Sequence, residues 1–254
     1  NWKGFLGNGP VRSGNQAADH IQNDVYGEMI LTLAPIYFDD RFKHLRVPEH
    51  ERLLQHLTTF CASSVSKPDA GLWEVRNGWQ EHSFSNLMCW AGMERIERIA
   101  ERGYLKNLPL NLSQVRNQAE QAIRSAVREG TLRNGPKDES FDAALLQLPI
   151  LRFPDPELCR KSVERIHAEL SIPENDGPSS FLYRYLRKDD FGQPQSAFLI
   201  CSFWLVQALA KIGELEKARK VMSDAVSSSN SLGLFSEHFT PNGKGQIGNF
   251  PQAY

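Results

Sequence analysis

Apolar residues recur along this chain at intervals of three and four, the spacing of a buried helical stripe, and no stretch alternates convincingly enough to read as a strand. The first helix is expected to open at an Asn15 cap and to carry Ile21, Val25, Met29, Ile30 and Leu33 at helical spacing. Its polar residues Asp19, His20, Gln22, Asn23, Asp24 and Glu28 read equally as a solvated face or as the lining of a pocket. A second helix is expected from Glu49 to Val65 with Leu53, Leu57, Phe60 and Cys61 on one side. A third starts near Ser85, carries Cys89, Trp90, Met93, Ile96, Ile99 and Ala100, and stops at Gly103, while Glu94, Arg95, Glu97 and Arg98 read as charged surface. The fourth opens at Ser113, turns Val115, Ala119, Ala122, Ile123 and Ala126 inward and closes at Gly130. A short fifth spans Glu139 to Leu148, ahead of Pro149, and Asp155-Pro156 starts a sixth that presents Cys159, Val163, Ile166 and Leu170.

The segment Ser196 to Ile212, with its run AFLICSFWLVQAL, is apolar nearly all round and must be buried on several sides. A two-residue turn joins it to an amphipathic helix from Glu214 with Leu215, Ala218, Met222 and Ala225 inward, so an inner helix backed by an outer one is expected. The fold class is therefore all-α. The stretch ALAKIGELEKARKVM also resembles a tetratricopeptide-type hairpin, which keeps a binding scaffold in view, although no fixed period recurs along the chain.

Charge changes the picture by exclusion. With 29 Lys+Arg against 30 Asp+Glu in 254 residues, no field draws in nucleic acid or an anionic membrane, and neither is an expected partner. No run of about 18 apolar residues is present to span a bilayer. Cysteines 61, 89, 159 and 201 show no CxxC spacing and read as buried free thiols, which suits a reducing compartment and a cytoplasmic location. The opening NWKGFLGNGPVRSGN lacks an initiator methionine and the basic-then-apolar order of a signal peptide, and Tyr254 follows Pro251 where a new helix is expected to begin. The chain is expected to be a fragment of a longer protein.

Candidate chemistry gathers in two loops. In AGLWEVRNGWQEHSFSNLMCW, Glu74 follows Trp73 and precedes Trp79. A carboxyl desolvated beside an indole has a raised pKa and can act as a general acid. In GLFSEHFTPNGKGQIGNFPQAY, Glu237 lies among glycines, proline and aromatics. Two such glutamates suggest the acid and base of a glycosidase, while Glu74 as an ordinary loop carboxylate with Trp73 as a core plug is the plain alternative. Between Ile172 and Gln195 a long aromatic segment carries Arg184 and Arg187, whose guanidinium forks either hold sugar hydroxyls or pair with Asp189 or Asp190. His238, beside Glu237, either tunes it or packs.

Four ordered segments, PVRSGNQAADHIQNDVYGE, GLWEVRNGWQEHSFSNLMCW, YRYLRKDDFGQPQSAFLICSFWLVQAL and GLFSEHFTPNGKGQIGNFPQAY, together resemble glycoside hydrolase family 15, the glucoamylase, glucodextranase and trehalase group. The resemblance implies an (α/α)6 barrel of six inner and six outer helices, and an inverting enzyme acting on α-glucosides. By position it implies that Glu74 is the general acid, Glu237 the general base, and Arg184 an arginine that contacts the bound glucose. Tyr185 lies beside that arginine, Leu72 and Trp73 line the same site, and Arg12 of the PVR segment falls in a region that lines the pocket. In an inverting enzyme the two carboxyl groups stand roughly 6.5–9.5 Å apart, leaving room for the attacking water. No metal or organic cofactor is required, and the seven histidines show no ligand spacing.

The chain departs from the family pattern in two respects. The earlier part of the barrel and the N-terminal β-sandwich of many relatives are not among these residues, so residues 1–254 are expected to be a partial catalytic domain. Glycine and asparagine precede the PVR segment where fungal glucoamylases have tryptophan, and SFSNLMCW looks like the bacterial branch that includes trehalases. Trehalose or a short α-glucan is thus the expected substrate. A disaccharide phosphorylase on the same barrel and a non-catalytic sugar-binding or regulatory domain remain as alternatives.

Overall fold

A computed structural model of the chain describes all residues except 1, 2, 5, 6, 8, 12, 15, 77, 107, 109, 174–177, 190, 191, 241–244, 253 and 254. Helices dominate. In chain order they are α1 (Asp24–Leu33), α2 (Pro35–Phe38), α3 (Pro48–Ser64), α4 (Ser83–Glu101), α5 (Leu112–Ser125), α6 (Gln147–Ile150), α7 (Pro156–Leu170), α8 (Leu199–Lys211) and α9 (Leu215–Ser227). Helix α4 is buried along nearly its whole length and packs against α1, α3 and α5; α8 is backed by α9 and touches α6 and α7. Among the described residues no helix is long and apolar enough to cross a membrane.

Local chemistry fixes the helix starts. The Asp155 carboxylate accepts from Leu158 N at 3.0 Å and Pro156 occupies the first turn of α7, while Asn111 caps α5 by accepting from Gln114 N at 3.1 Å. The expected inward residues of α7, Cys159, Val163, Ile166 and Leu170, are all buried. All four cysteines are buried free thiols.

Several faces differ from the expected ones. Asn15, the expected cap of the first helix, lies outside the described residues, and α1 begins only at Asp24. Ile21, ahead of it, and Val25 and Met29 on it are exposed, whereas Asp24, Gly27 and Ile30 are buried. Contact decides this: a Cβ on Gly27 would stand 2.2 Å from the Met88 carbonyl oxygen, so the glycine lets α1 lie against the α4 backbone on that side. On α3, Leu54, Leu57, Thr58 and Cys61 point inward, and Leu53 and Phe60 point out. On α9, Val221 joins Ala218 and Ala225 inside, and Leu215 and Met222 face solvent. Arg95 is buried rather than surface charge: it pairs with Glu94, its Nη2 lies 3.5 Å from the Leu151 carbonyl, and burial pulls its pKa below the ordinary guanidinium range.

The helix expected from Glu139 to Leu148 is instead a 3-10 turn, Ala143–Leu146, running into α6, whose first turn accommodates Pro149. Short strands also occur where none was expected. Residues Val127–Arg128 (β1) and Thr131–Leu132 (β2) form a hairpin after α5, which therefore ends before Gly130. Residues Ala197–Phe198 (β3), His238–Thr240 (β4) and Gly245–Ile247 (β5) form a small antiparallel sheet with Phe198 opposite His238. Its first strand delays the start of α8 from Ser196 to Leu199.

Candidate active site

The loop carrying Glu74 is tied down at its base by a buried carboxylate. Asp69 accepts from Asn23 N at 2.7 Å, Ser85 Oγ at 2.8 Å and Gly71 N at 3.2 Å, and it pairs across the loop with Gln80. Glu74 N donates to Gly71 O at 3.1 Å and Val75 N to Ala70 O at 3.0 Å, which curls the chain so that Glu74 adopts φ of 54°. A left-handed glutamate is uncommon and costs backbone energy, and such residues cluster at functional sites.

Side chains along this loop separate. Trp73 is half-buried: its Nε1 donates to both Asp142 oxygens, at 2.9 and 3.0 Å, and its ring packs against Tyr185, Phe198 and Trp204 with centroids 6.2, 5.5 and 6.1 Å away. Glu74 is exposed. The burial expected for its carboxyl is therefore absent, because the indole is engaged by Asp142 and the aromatic floor. Leu72 is half-buried and lines a narrow crevice with Trp73, His82, Phe84, Asp142 and Arg187. Trp79 keeps 37% of its surface exposed while its Nε1 donates to Val75 O at 3.2 Å.

Glu237 enters the small sheet half-buried. Its backbone is fixed on both sides, Leu199 N donating to Glu237 O at 3.1 Å and Glu237 N to Asn249 O at 2.9 Å. Its Oε2 accepts from Asn249 N and Asn249 Nδ2, both at 3.1 Å, so two donors from one residue orient the carboxyl group. His238 stacks on Phe198 with centroids 4.7 Å apart and planes 9° from parallel, and its Nδ1 lies 3.2 Å from Ser196 Oγ. Burial holds the His238 pKa below the usual imidazole value. Packing is thus its evident role.

Phe198 connects the two loops. One ring touches Trp73, the neighbour of Glu74, and His238, the neighbour of Glu237. Two glutamates 163 positions apart in sequence (237 − 74) therefore belong to loops seated on the same aromatic floor.

Arginines border that floor. The Arg184 guanidinium lies 5.9 Å from the Trp73 ring centroid and 4.8 Å from that of Tyr185, and donates from Nη2 to Asp189 at 2.8 Å. The ion pair with Asp189, one of the two alternatives, is present, yet among the described residues the buried Nε of Arg184 has no hydrogen-bond partner. Tyr185 is almost wholly buried; burial and donation of its hydroxyl to Asp189 Oδ2 at 2.5 Å push its pKa well up. Arg187 lies over the Tyr185 ring at 3.8 Å and pairs with Asp142 at 2.9 Å. Arg12 lies outside the described residues.

Three aspartates, Asp69, Asp142 and Asp189, build the site without standing out in the sequence. Asp189 is expected there only as an ion-pair partner, and Asp142 falls within the helix expected from Glu139 to Leu148. The signal available for Asp142 is its place before the apolar AALL, where it acts as a cap, accepting from Ala144 N at 2.9 Å. Of the polar set that opens α1, Asn23 and Asp24 are buried, so neither a solvated face nor an open pocket describes them.

The model of glycosyl hydrolases family 15 matches residues 1–254, the full chain. The chain belongs to this family. Relatives include a trehalase of Mycobacterium tuberculosis, 31% identical over 257 residues, covering 96% of this chain and 36% of that protein. A trehalase of Mycolicibacterium smegmatis is 30% identical over 259 residues, covering 99% of this chain and 37% of that protein. Trehalase 1 of Sulfolobus acidocaldarius is 27% identical, covering 99% and 42%. This family 15 chain thus spans less than half the length of these relatives. Among solved structures, a wild-type glycosidase superposes with a TM-score of 0.70 at 15% identity, covering 86% of this chain and 56% of that one. A variant glycosidase in complex with glucose gives 0.70 at 14% identity, covering 86% and 57%. At such identities the likeness is one of fold, and it agrees with the all-α (α/α)6 architecture expected of family 15.

Proposed function

We propose that this chain carries the catalytic groups of an inverting glycoside hydrolase that releases glucose from the non-reducing end of α-glucosides, with trehalose as the leading substrate and short α-glucans as the second. The observation that carries the reading is the shared Phe198 floor, which seats the Glu74 and Glu237 loops together. Glu74, protonated, donates to the glycosidic oxygen as the bond to the anomeric carbon lengthens. Glu237 takes a proton from a water that attacks the opposite face of the sugar. Asn249 supports this role by holding one carboxylate oxygen in place, and the strained Glu74 backbone suits a residue kept for function rather than for packing. Arg184, with a buried N–H to spare beside Trp73, is suited to bind a sugar hydroxyl. The trehalase names of the relatives favour trehalose.

The test is anomer-resolved NMR of the full-length protein acting on trehalose and on α-glucans, alongside the Glu74→Gln variant. Inversion of trehalose yields β-glucose from the attacked ring and α-glucose from the departing one in equal amounts. Loss of the acid lowers kcat on the preferred substrate by about 10²- to 10⁴-fold. Undiminished hydrolysis by Glu74→Gln, or α-glucose as the sole first-formed product, refutes the assignment.

A further inference from the structure

We infer that Asp142 is a positioning residue for the proton donor, an inference that rests on the reading of Glu74 as general acid. Among the described residues no hydrogen bond or ion pair holds the Glu74 carboxyl, so its place is set by its own backbone and by the side chain before it. That side chain is Trp73, and its N–H is bound by both Asp142 oxygens.

Asp142 is 2% exposed, and a buried carboxylate is tolerated only when donors surround it. Here the donors come from three parts of the chain: Trp73 Nε1 from the acid loop, Arg187 Nη1 at 2.9 Å from the arginine segment, and Ala144 N at 2.9 Å from the turn before α6. The backbone strengthens the same junction, since Asp142 pairs with Tyr185 as an antiparallel bridge and Ala143 N donates to Arg184 O at 2.9 Å. One carboxylate therefore joins the proton-donor loop to the segment carrying Arg184. Removing it takes the hydrogen bond from the indole, leaving Trp73 held, among the described residues, only by its ring contacts, so the side chain next to Glu74 loses its fixed orientation while Asn249 on Glu237 is untouched.

The experiment compares two substrates in the full-length protein. Trehalose needs a proton on its departing oxygen; α-glucosyl fluoride releases fluoride without a proton from a carboxylic acid. Asp142→Ala and Trp73→Phe, the latter removing the N–H while keeping a ring, are expected to lose about 10- to 100-fold in kcat on trehalose, with a loss on the fluoride at least about tenfold smaller. Equal losses on both substrates, or no loss on trehalose, overturn the positioning role; where Asp142→Ala does not fold, Trp73→Phe decides. Glu74→Gln is the control. If it shows the same selectivity, the acid assignment stands and any failure belongs to Asp142 alone. If it shows none, the reading of Glu74 itself falls, and the inference with it.

Discussion

Gly27 on α1 and Met88 on α4 lie so close that a Cβ on the glycine would stand 2.2 Å from the Met88 carbonyl oxygen and 2.4 Å from its carbonyl carbon. The obstruction is backbone, which cannot rotate aside. Gly27→Ala must therefore push α1 off α4, and a cost of about 1–3 kcal/mol is expected, as for other overpacked sites. Urea unfolding of the variant beside the parent measures it, and equal midpoints would show that the two helices separate freely.

Asp24 supplies a pH dependence of known sign. Burial, with Glu28 and Asp69 nearby, raises its pKa from 3.8 to about 7. A carboxyl with a raised folded-state pKa keeps its proton in the native state while the unfolded chain gives it up, so stability falls as pH rises. The fall spans the window from about 4 to 7, at up to about 1.4 kcal/mol per pH unit, and is flat on either side. Glu28, also raised by burial, acts in the same direction. Asp24→Asn removes the Asp24 share, so the stability of the parent relative to this variant should decline from pH 4 to pH 7. Parallel curves in denaturant titrations across that range would contradict it.

Gly248 bears on the proposed base. Its φ is +82°, and a Cβ there would stand 2.8 Å from Glu237 Oε2 and 3.1 Å from Glu237 Cβ. Gly248→Ala is expected to displace the carboxylate from Asn249 and lower kcat on trehalose about 100-fold, the scale of an ångström-sized misplacement. Thermal melting separates this from simple unfolding. A folded variant with full kcat would mean that the Glu237 orientation does not matter to turnover.

Elements governed by neighbours in the chain were legible in the sequence. Asp155-Pro156 starts α7 because a carboxylate two or three residues from unbonded N–H groups caps them wherever the helix later packs. The apolar run of α8 announced a helix packed on more than one side because so many large apolar side chains cannot all face water, and α9, α6 and α7 pack against it. The two glutamate loops were recognisable because glycine, proline and aromatics gather around them.

On α7 the expected face is the buried one, but on α1, α3 and α9 the inward side was settled by tertiary contact. Ile21, ahead of α1, and Val25 and Met29 on it are at good helical spacing, but the missing Cβ of Gly27 lets another face reach α4. On α3 the expected Leu57 and Cys61 and on α9 the expected Ala218 and Ala225 are buried, but Leu54 replaces Leu53 and Val221 replaces Met222, since periodicity defines a broad stripe and only the neighbouring helix chooses which edge of it is covered. The site divides in the same way. Residue types marked Glu74, Glu237, Arg184 and Arg187 as candidates, and the family resemblance singled out the first three. The bond from Trp73 to Asp142 joins residues 69 positions apart, and the seating of Trp73 and His238 on one Phe198 ring joins three distant segments. No local rule of spacing or propensity reaches across such separations, because these contacts exist only once the helices have packed.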